Sequence, residues 1–179
     1  MLKHRLGLAL CTLVVLGLSG CQTTPPAGIT PLHGFQVERY QGHWYELARL
    51  DHRFEHGLQA VSADYSARGD GSLRVVNRGY DPGCRCWREA VGRAWFTGAR
   101  DVASLRVSFF RPFYGGYFVA ALDPAYRWAV VVGPNKNYLW LLERDPQPLA
   151  AARQALLAVA ARLGVRPDQL IWVPVQITP

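Results

Sequence analysis

The side chains able to do chemistry are few, and their spacing argues against catalysis. The histidines, His4, His33, His43, His52 and His56, all precede residue 60. No serine sits in a Gly-x-Ser-x-Gly elbow that would give one of them a nucleophile to activate. His52 and His56 have helical spacing but fall in a stretch that reads as loop, without the His-Glu-x-x-His order of a zinc hydrolase. No phosphate-cradling glycine loop or nicotinamide fingerprint is present, so the sequence implies no enzyme, cofactor or metal. The remaining reactive pair is Cys84 and Cys86. They could close a small local disulfide, stay free or bridge to a second chain, or supply two metal ligands. The disulfide ranks first and requires a turn, since the ring is strained on a regular strand; zinc ranks last because no neighbouring His or Cys completes a tetrahedron.

The other two cysteines belong to the start of the chain. Lys3 and Arg5 precede an apolar run that ends in Leu18-Ser19-Gly20-Cys21, a secretory leader too short to span a bilayer by itself. The exit resembles the lipobox of bacterial lipoproteins. That resemblance implies that residues 1–20 are removed with Cys11, and that Cys21 becomes the first mature residue and joins the protein to a membrane through a lipid. Gln22, where an aspartate would favour inner-membrane retention, implies the outer membrane of a Gram-negative bacterium, on its periplasmic face. The alternative is a plain secreted protein with an ordinary thiol at Cys21. Losing Lys3 and Arg5 lowers the formal charge from +7 by two. No stretch combines Lys and Arg with the stacking aromatics of single-strand binding, which argues against a nucleic-acid partner.

These residues must be carried by about 160 mature positions, enough for one domain. Residues 21–34, with Pro25, Pro26, Gly28, Pro31 and Gly34, read as a lipidated flexible tether, and residues 35–179 as the folded domain. Period-two segments at 43–51, 59–66, 72–80, 87–98, 104–111, 116–123, 127–133 and 137–144 predict eight strands. Asp70-Gly71, Asp81-Pro82-Gly83, Pro112 to Gly116, Asp123-Pro124 and Gly133-Pro134-Asn135 supply the turns. Short links favour antiparallel neighbours, and closing the sheet protects its edges. The expected fold is all-β, an eight-stranded antiparallel up-and-down barrel. Leu149, Ala152, Leu156, Val159, Ala160 and Leu163 then recur at threes and fours and Gly164 follows, which predicts one C-terminal α-helix packed outside the sheet. A short final strand is expected within 171–177. A barrel of this size can hold one small ligand, and Ala63, Asn77, Gly79, Ala121 or Ala129 on its inner face would leave room. Asn77 would be costly in a dry core and suits a polar head group or a water.

Tyr40-Gln41-Gly42-His43-Trp44-Tyr45-Glu46 resembles the N-terminal Gly-x-Trp fingerprint of the lipocalin family. Asp123 to Tyr126 resembles its second motif, and Arg144 its third. Phe109-Phe110-Arg111-Pro112-Phe113-Tyr114-Gly115-Gly116-Tyr117 and Tyr138-Leu139-Trp140-Leu141-Leu142 resemble the bacterial outer-membrane members of that family, and the likeness covers almost the whole mature chain. It implies that Trp44 is covered by Arg144 at the closed end while Gly42 lets the chain pass beneath the barrel. These residues are expected to close the floor and to do no chemistry.

For the ligand the family implies a fatty acid or a lysophospholipid. Trp140, Tyr117, Val107, Phe109, Tyr65 and Asn77 are the expected wall residues, with Glu46 as a polar contributor and phenol or indole groups near the mouth. His52 or Arg53 could meet an anionic head group, although solvated loop residues are the more frequent reading of such positions. Phe110 to Gly116 reads as barrel rim first, with a membrane-facing tip or a homodimer contact as alternatives. The competing function is a structural or stress-related surface lipoprotein that acts through protein contacts.

Overall fold

The computed structural model describes residues 22–147 and 150–174. The leader, Cys21, Leu149 and the end of the expected last strand lie outside that range. Strands β1 (Gly42–Leu50), β2 (Gln59–Ala67), β3 (Leu73–Asp81), β4 (Cys86–Phe96), β5 (Ser104–Phe110), β6 (Phe113–Leu122), β7 (Trp128–Val132) and β8 (Leu139–Glu143) follow one another in antiparallel order, and β1 pairs with both β8 and β2. The sheet therefore closes into an eight-stranded barrel. A four-residue helix α1 (Val37–Tyr40) crosses beneath it, helix α2 (Ala150–Arg162) follows β8, and strand β9 (Leu170–Trp172) comes last.

Strand β1 is shared along its length. Its first half, Gly42 to Tyr45, pairs with β2, whereas Ala48 to Leu50 pairs with β9. The final strand thus occupies the edge that β2 gives up as the barrel widens toward the loop joining β1 to β2.

Two apolar layers result. The inner one holds Trp44, Tyr65, Leu105, Val119 and Val131 inside the barrel. The outer one packs Leu156, Val159 and Ala160 of α2 over Leu47, Phe118, Val130 and Leu141. Helix α2 ends at the expected place, and Gly164 just beyond it adopts the left-handed φ of 85° that favours glycine.

Three expectations need correction. Gly115 and Gly116 are not turn residues: the turn is Arg111-Pro112 alone, and both glycines lie inside β6, opposite Val107 and Arg106. Gly116 is required there by close approach, since a Cβ would strike the Phe118 ring. Ala121 does not line the interior. A bulge between Val119 and Ala121 shifts its phase and sends it into the outer layer. Finally, the stretch read as a flexible tether is held on the barrel wall over residues 22–34. The Gln22 carbonyl accepts the Gly116 N–H at 2.8 Å, the Leu32 N–H donates to Val119 at 2.9 Å, and Ile29 is buried in the outer layer.

Candidate functional site

The two ends of the barrel are built differently. At the closed end Trp44 is fully buried and its indole N–H donates to the Tyr40 carbonyl at 2.8 Å. The Arg144 guanidinium lies 3.9 Å from the Trp44 ring centroid, a cation–π contact of roughly 0.5–2 kcal/mol. It also donates to the carbonyls of His43 (2.6 Å), Gln41 (2.7 Å), Arg39 (3.0 Å) and Tyr40 (3.1 Å). One planar cation therefore gathers the acceptors of the chain that passes under the barrel. Gly42 permits this passage with a φ of 94°, and a Cβ there would come within 3.2 Å of Arg144 Nη1.

The turn joining β6 to β7 seals the same end. Asp123 is buried and accepts from the N–H groups of Ala125 and Arg127 and from the Arg127 guanidinium. Those bonds, the Arg127 side chain foremost, hold its carboxyl below the usual range. Tyr126 takes a left-handed φ of 60°, and its hydroxyl accepts the Gln36 N–H at 2.8 Å.

Above this floor lies a cavity of about 770 Å³, within the size range of pockets for small molecules. Tyr65 and Tyr117 line its depth and Val107 its wall, while Phe109 and Trp140 stand nearer the opening; Glu46 and Asn77 supply polar groups. Tyr117 is not at the mouth as the sequence suggested. Its hydroxyl lies 2.6 Å from that of Tyr40 and 2.8 Å from that of Tyr65. Burial raises all three phenols well above their ordinary value, so this deep triad is neutral.

Residues 35–175 match the family model of the lipocalin-like domain. The chain is 50% identical over 165 residues to the outer membrane lipoprotein Blc of Escherichia coli K12, covering 92% of this chain and 93% of that one. It is 48% identical to Blc of Citrobacter freundii over the same shares. The fold also matches the crystal structure of the cockroach allergen Per a 4 with a TM-score of 0.67 at 18% identity, covering 87% of this chain and 94% of that one. The chain belongs to the lipocalin family. Members of this family are non-catalytic lipid-binding proteins, and this lipocalin's barrel is capable of binding a hydrophobic ligand.

The end of β1 and the loop joining it to β2 give this lipocalin a buried polar cluster, of which the sequence had singled out Glu46 and His52 but not Arg49 or the role of Glu55. Arg49 is 1% exposed; its Nη1 donates to Glu46 Oε1 at 2.7 Å and its Nη2 to the Glu55 carbonyl at 2.6 Å. The Glu55 side chain reaches across to accept the Trp140 indole N–H at 2.9 Å, and His52 Nε2 lies 3.1 Å from the same Oε2. Burial and the Glu55 charge push the Glu46 carboxyl well up despite Arg49. Burial also opposes ionisation of Glu55, but His52 and Trp140 outweigh it and hold that carboxyl down. His52 is therefore not a solvated loop residue; it is buried against the cavity, whereas Arg53 is exposed and stacks on Phe54.

Residues 52–56 also spell His-x-x-Glu-His, an order found in some zinc hydrolases. The two imidazoles do not converge, because His56 turns outward to Asp51 at 2.9 Å. No group of side chains suited to a metal ion occurs among the described residues. Cys84 and Cys86 form a disulfide across the turn between β3 and β4, where Arg85 adopts a left-handed φ of 54°. The turn thus removes the regular-strand geometry that would strain such a pair.

Proposed function

We propose that this lipocalin is an outer-membrane lipoprotein, anchored through a lipid on Cys21 at the periplasmic face, that carries or stores a fatty acid or a lysophospholipid in its barrel. The observation that carries this reading is the cavity itself: an apolar depth built from Leu73, Val75, Ala94 and Leu105, and polar groups set above it. The Asn77 Oδ1 atom is buried in that wall without a hydrogen-bond partner among the described residues. An apolar chain fills the depth, and a polar head brings a donor to Asn77 and to the cluster of Glu46, Glu55 and His52. The Escherichia coli and Citrobacter freundii relatives bear the name outer membrane lipoprotein, which supports the anchor together with the run Leu18 to Cys21.

The test is a titration of the mature protein with lysophosphatidylethanolamine and with palmitate, read by tryptophan fluorescence. Saturable quenching at one ligand per barrel, lost in Trp140→Phe, is expected. Absence of saturation with both lipids overturns the ligand assignment. Mass spectrometry of membrane-extracted protein reads the lipid on Cys21 separately.

A further inference from the structure

We propose that the open end of the barrel is a docking surface for an anionic phospholipid bilayer, so that the cavity opens onto the membrane. This rests on the anchored-carrier reading and adds an orientation to it.

The first observation is apolar. Phe54, Phe110 and Phe113 are 66%, 77% and 66% exposed, and all three line the cavity opening from two different connections. Trp87, 57% exposed, stands on β4 one residue beyond the disulfide turn at the same end. Large aromatics gathered at one end of the barrel mark a contact surface rather than random exposure. Aromatic rings suit the boundary between water and lipid.

The second observation is charge. Each connection at the mouth carries an exposed cation: Arg53, Arg85, Arg111 and Lys136. The acidic side chains nearby are engaged, Asp51 by His56, Asp81 by Arg88 and Glu89 by Arg78. A ring of cations around exposed aromatics is complementary to an anionic leaflet.

The third observation is where the chain leads. The Gln22 carbonyl is bonded to Gly116, only three residues along β6 from Phe113 at the rim, or about 10 Å of strand. Gly28 lies beside the mouth as well, since a Cβ on it would be 3.6 Å from Lys136 Nζ. The first described residue, Gln22, therefore lies on the mouth half of the barrel. Turning the closed end to the membrane would require stripping residues 22–32 from the wall.

The experiment uses the lipidated mature protein in vesicles of phosphatidylethanolamine and phosphatidylglycerol whose acyl chains are brominated. A bimane label is placed at Phe113→Cys at the mouth or at Ala125→Cys at the base, with the Cys84–Cys86 disulfide kept oxidised. The expected result is at least threefold stronger bromine quenching at 113 than at 125, with the difference abolished by Arg85→Glu combined with Lys136→Glu. Equal quenching, stronger quenching at 125, or indifference to the charge reversal overturns the proposal. Protein that carries no lipid is read by the same ratio at vesicle excess, so loss of the anchor still leaves docking decided. The lysophosphatidylethanolamine titration on the same samples distinguishes the two readings: saturable binding without preferential quenching at 113 sinks docking alone, and the reverse sinks the ligand assignment alone.

Discussion

The floor of the barrel and its mouth are made from similar residue types and arranged to opposite ends. At the floor, Trp44 is buried, Arg144 is spread over four carbonyls, and Asp123 is surrounded by donors. At the mouth, Phe54, Phe110 and Phe113 face outward, and the His52 Nδ1 atom there and the Asn77 Oδ1 atom in the cavity wall have no hydrogen-bond partner among the described residues. The closed end ties most of its polar groups internally, with Glu143 Oε2 the buried atom there that has no partner among the described residues, so it contributes stability. The open end leaves surface and polar atoms to be satisfied from outside, as a binding end must.

That contrast predicts a gradient of mutational effects. Trp44→Ala should cost the most, about 3–5 kcal/mol by denaturant titration, because it empties a fully enclosed site. A loss below 1 kcal/mol would mean that the floor is not the staple described. Arg144→Met should follow at about 2–4 kcal/mol, since it strands several carbonyls and removes the cation over the indole.

Asp123→Asn should cost about 1 kcal/mol at neutral pH and carry a pH signature. A carboxyl whose folded value is depressed contributes stability that is fully present above the unfolded value of about 3.9 and is lost as pH falls through the folded one. The variant should therefore show a flatter loss of melting temperature on acidification, with the two proteins converging at low pH. Parallel curves would place the Asp123 contribution outside its titration.

At the mouth the order of effects reverses. Trp140→Phe should lower stability by only about 1 kcal/mol, the loss of one hydrogen bond to Glu55, while weakening lysophospholipid binding tenfold or more in a competition assay. Phe113→Ser should be the mildest, within about 0.5 kcal/mol in stability, because its ring is already exposed. A large destabilisation there would erase the distinction between the two ends.

Much of the floor was legible through the family resemblance, whose motifs at Gly42-x-Trp44, Asp123 to Tyr126 and Arg144 can be matched from short stretches of sequence even though the contacts they make are long-range. Strand phase was legible where alternation was clean, as at Tyr65, Asn77 and Val107, all of which line the cavity. It failed at Ala121 because one bulge inverts every side chain beyond it, and a bulge leaves no compositional mark. The burial of Arg49, Glu55 and His52 was not legible for another reason: charged residues at a strand end and in the loop after it ordinarily read as solvated, and only the fold over the opening buries them.

The sequence by itself determined the period-two strands and the single outer helix, since each depends on neighbours within a few positions. Only the tertiary structure decided that three tyrosines from α1, β2 and β6 share one hydrogen-bonded knot, and that residues 22–34 lie along the wall toward the mouth. Those contacts join positions far apart in the chain. Their partners are chosen by closure of the barrel, which no local pattern encodes.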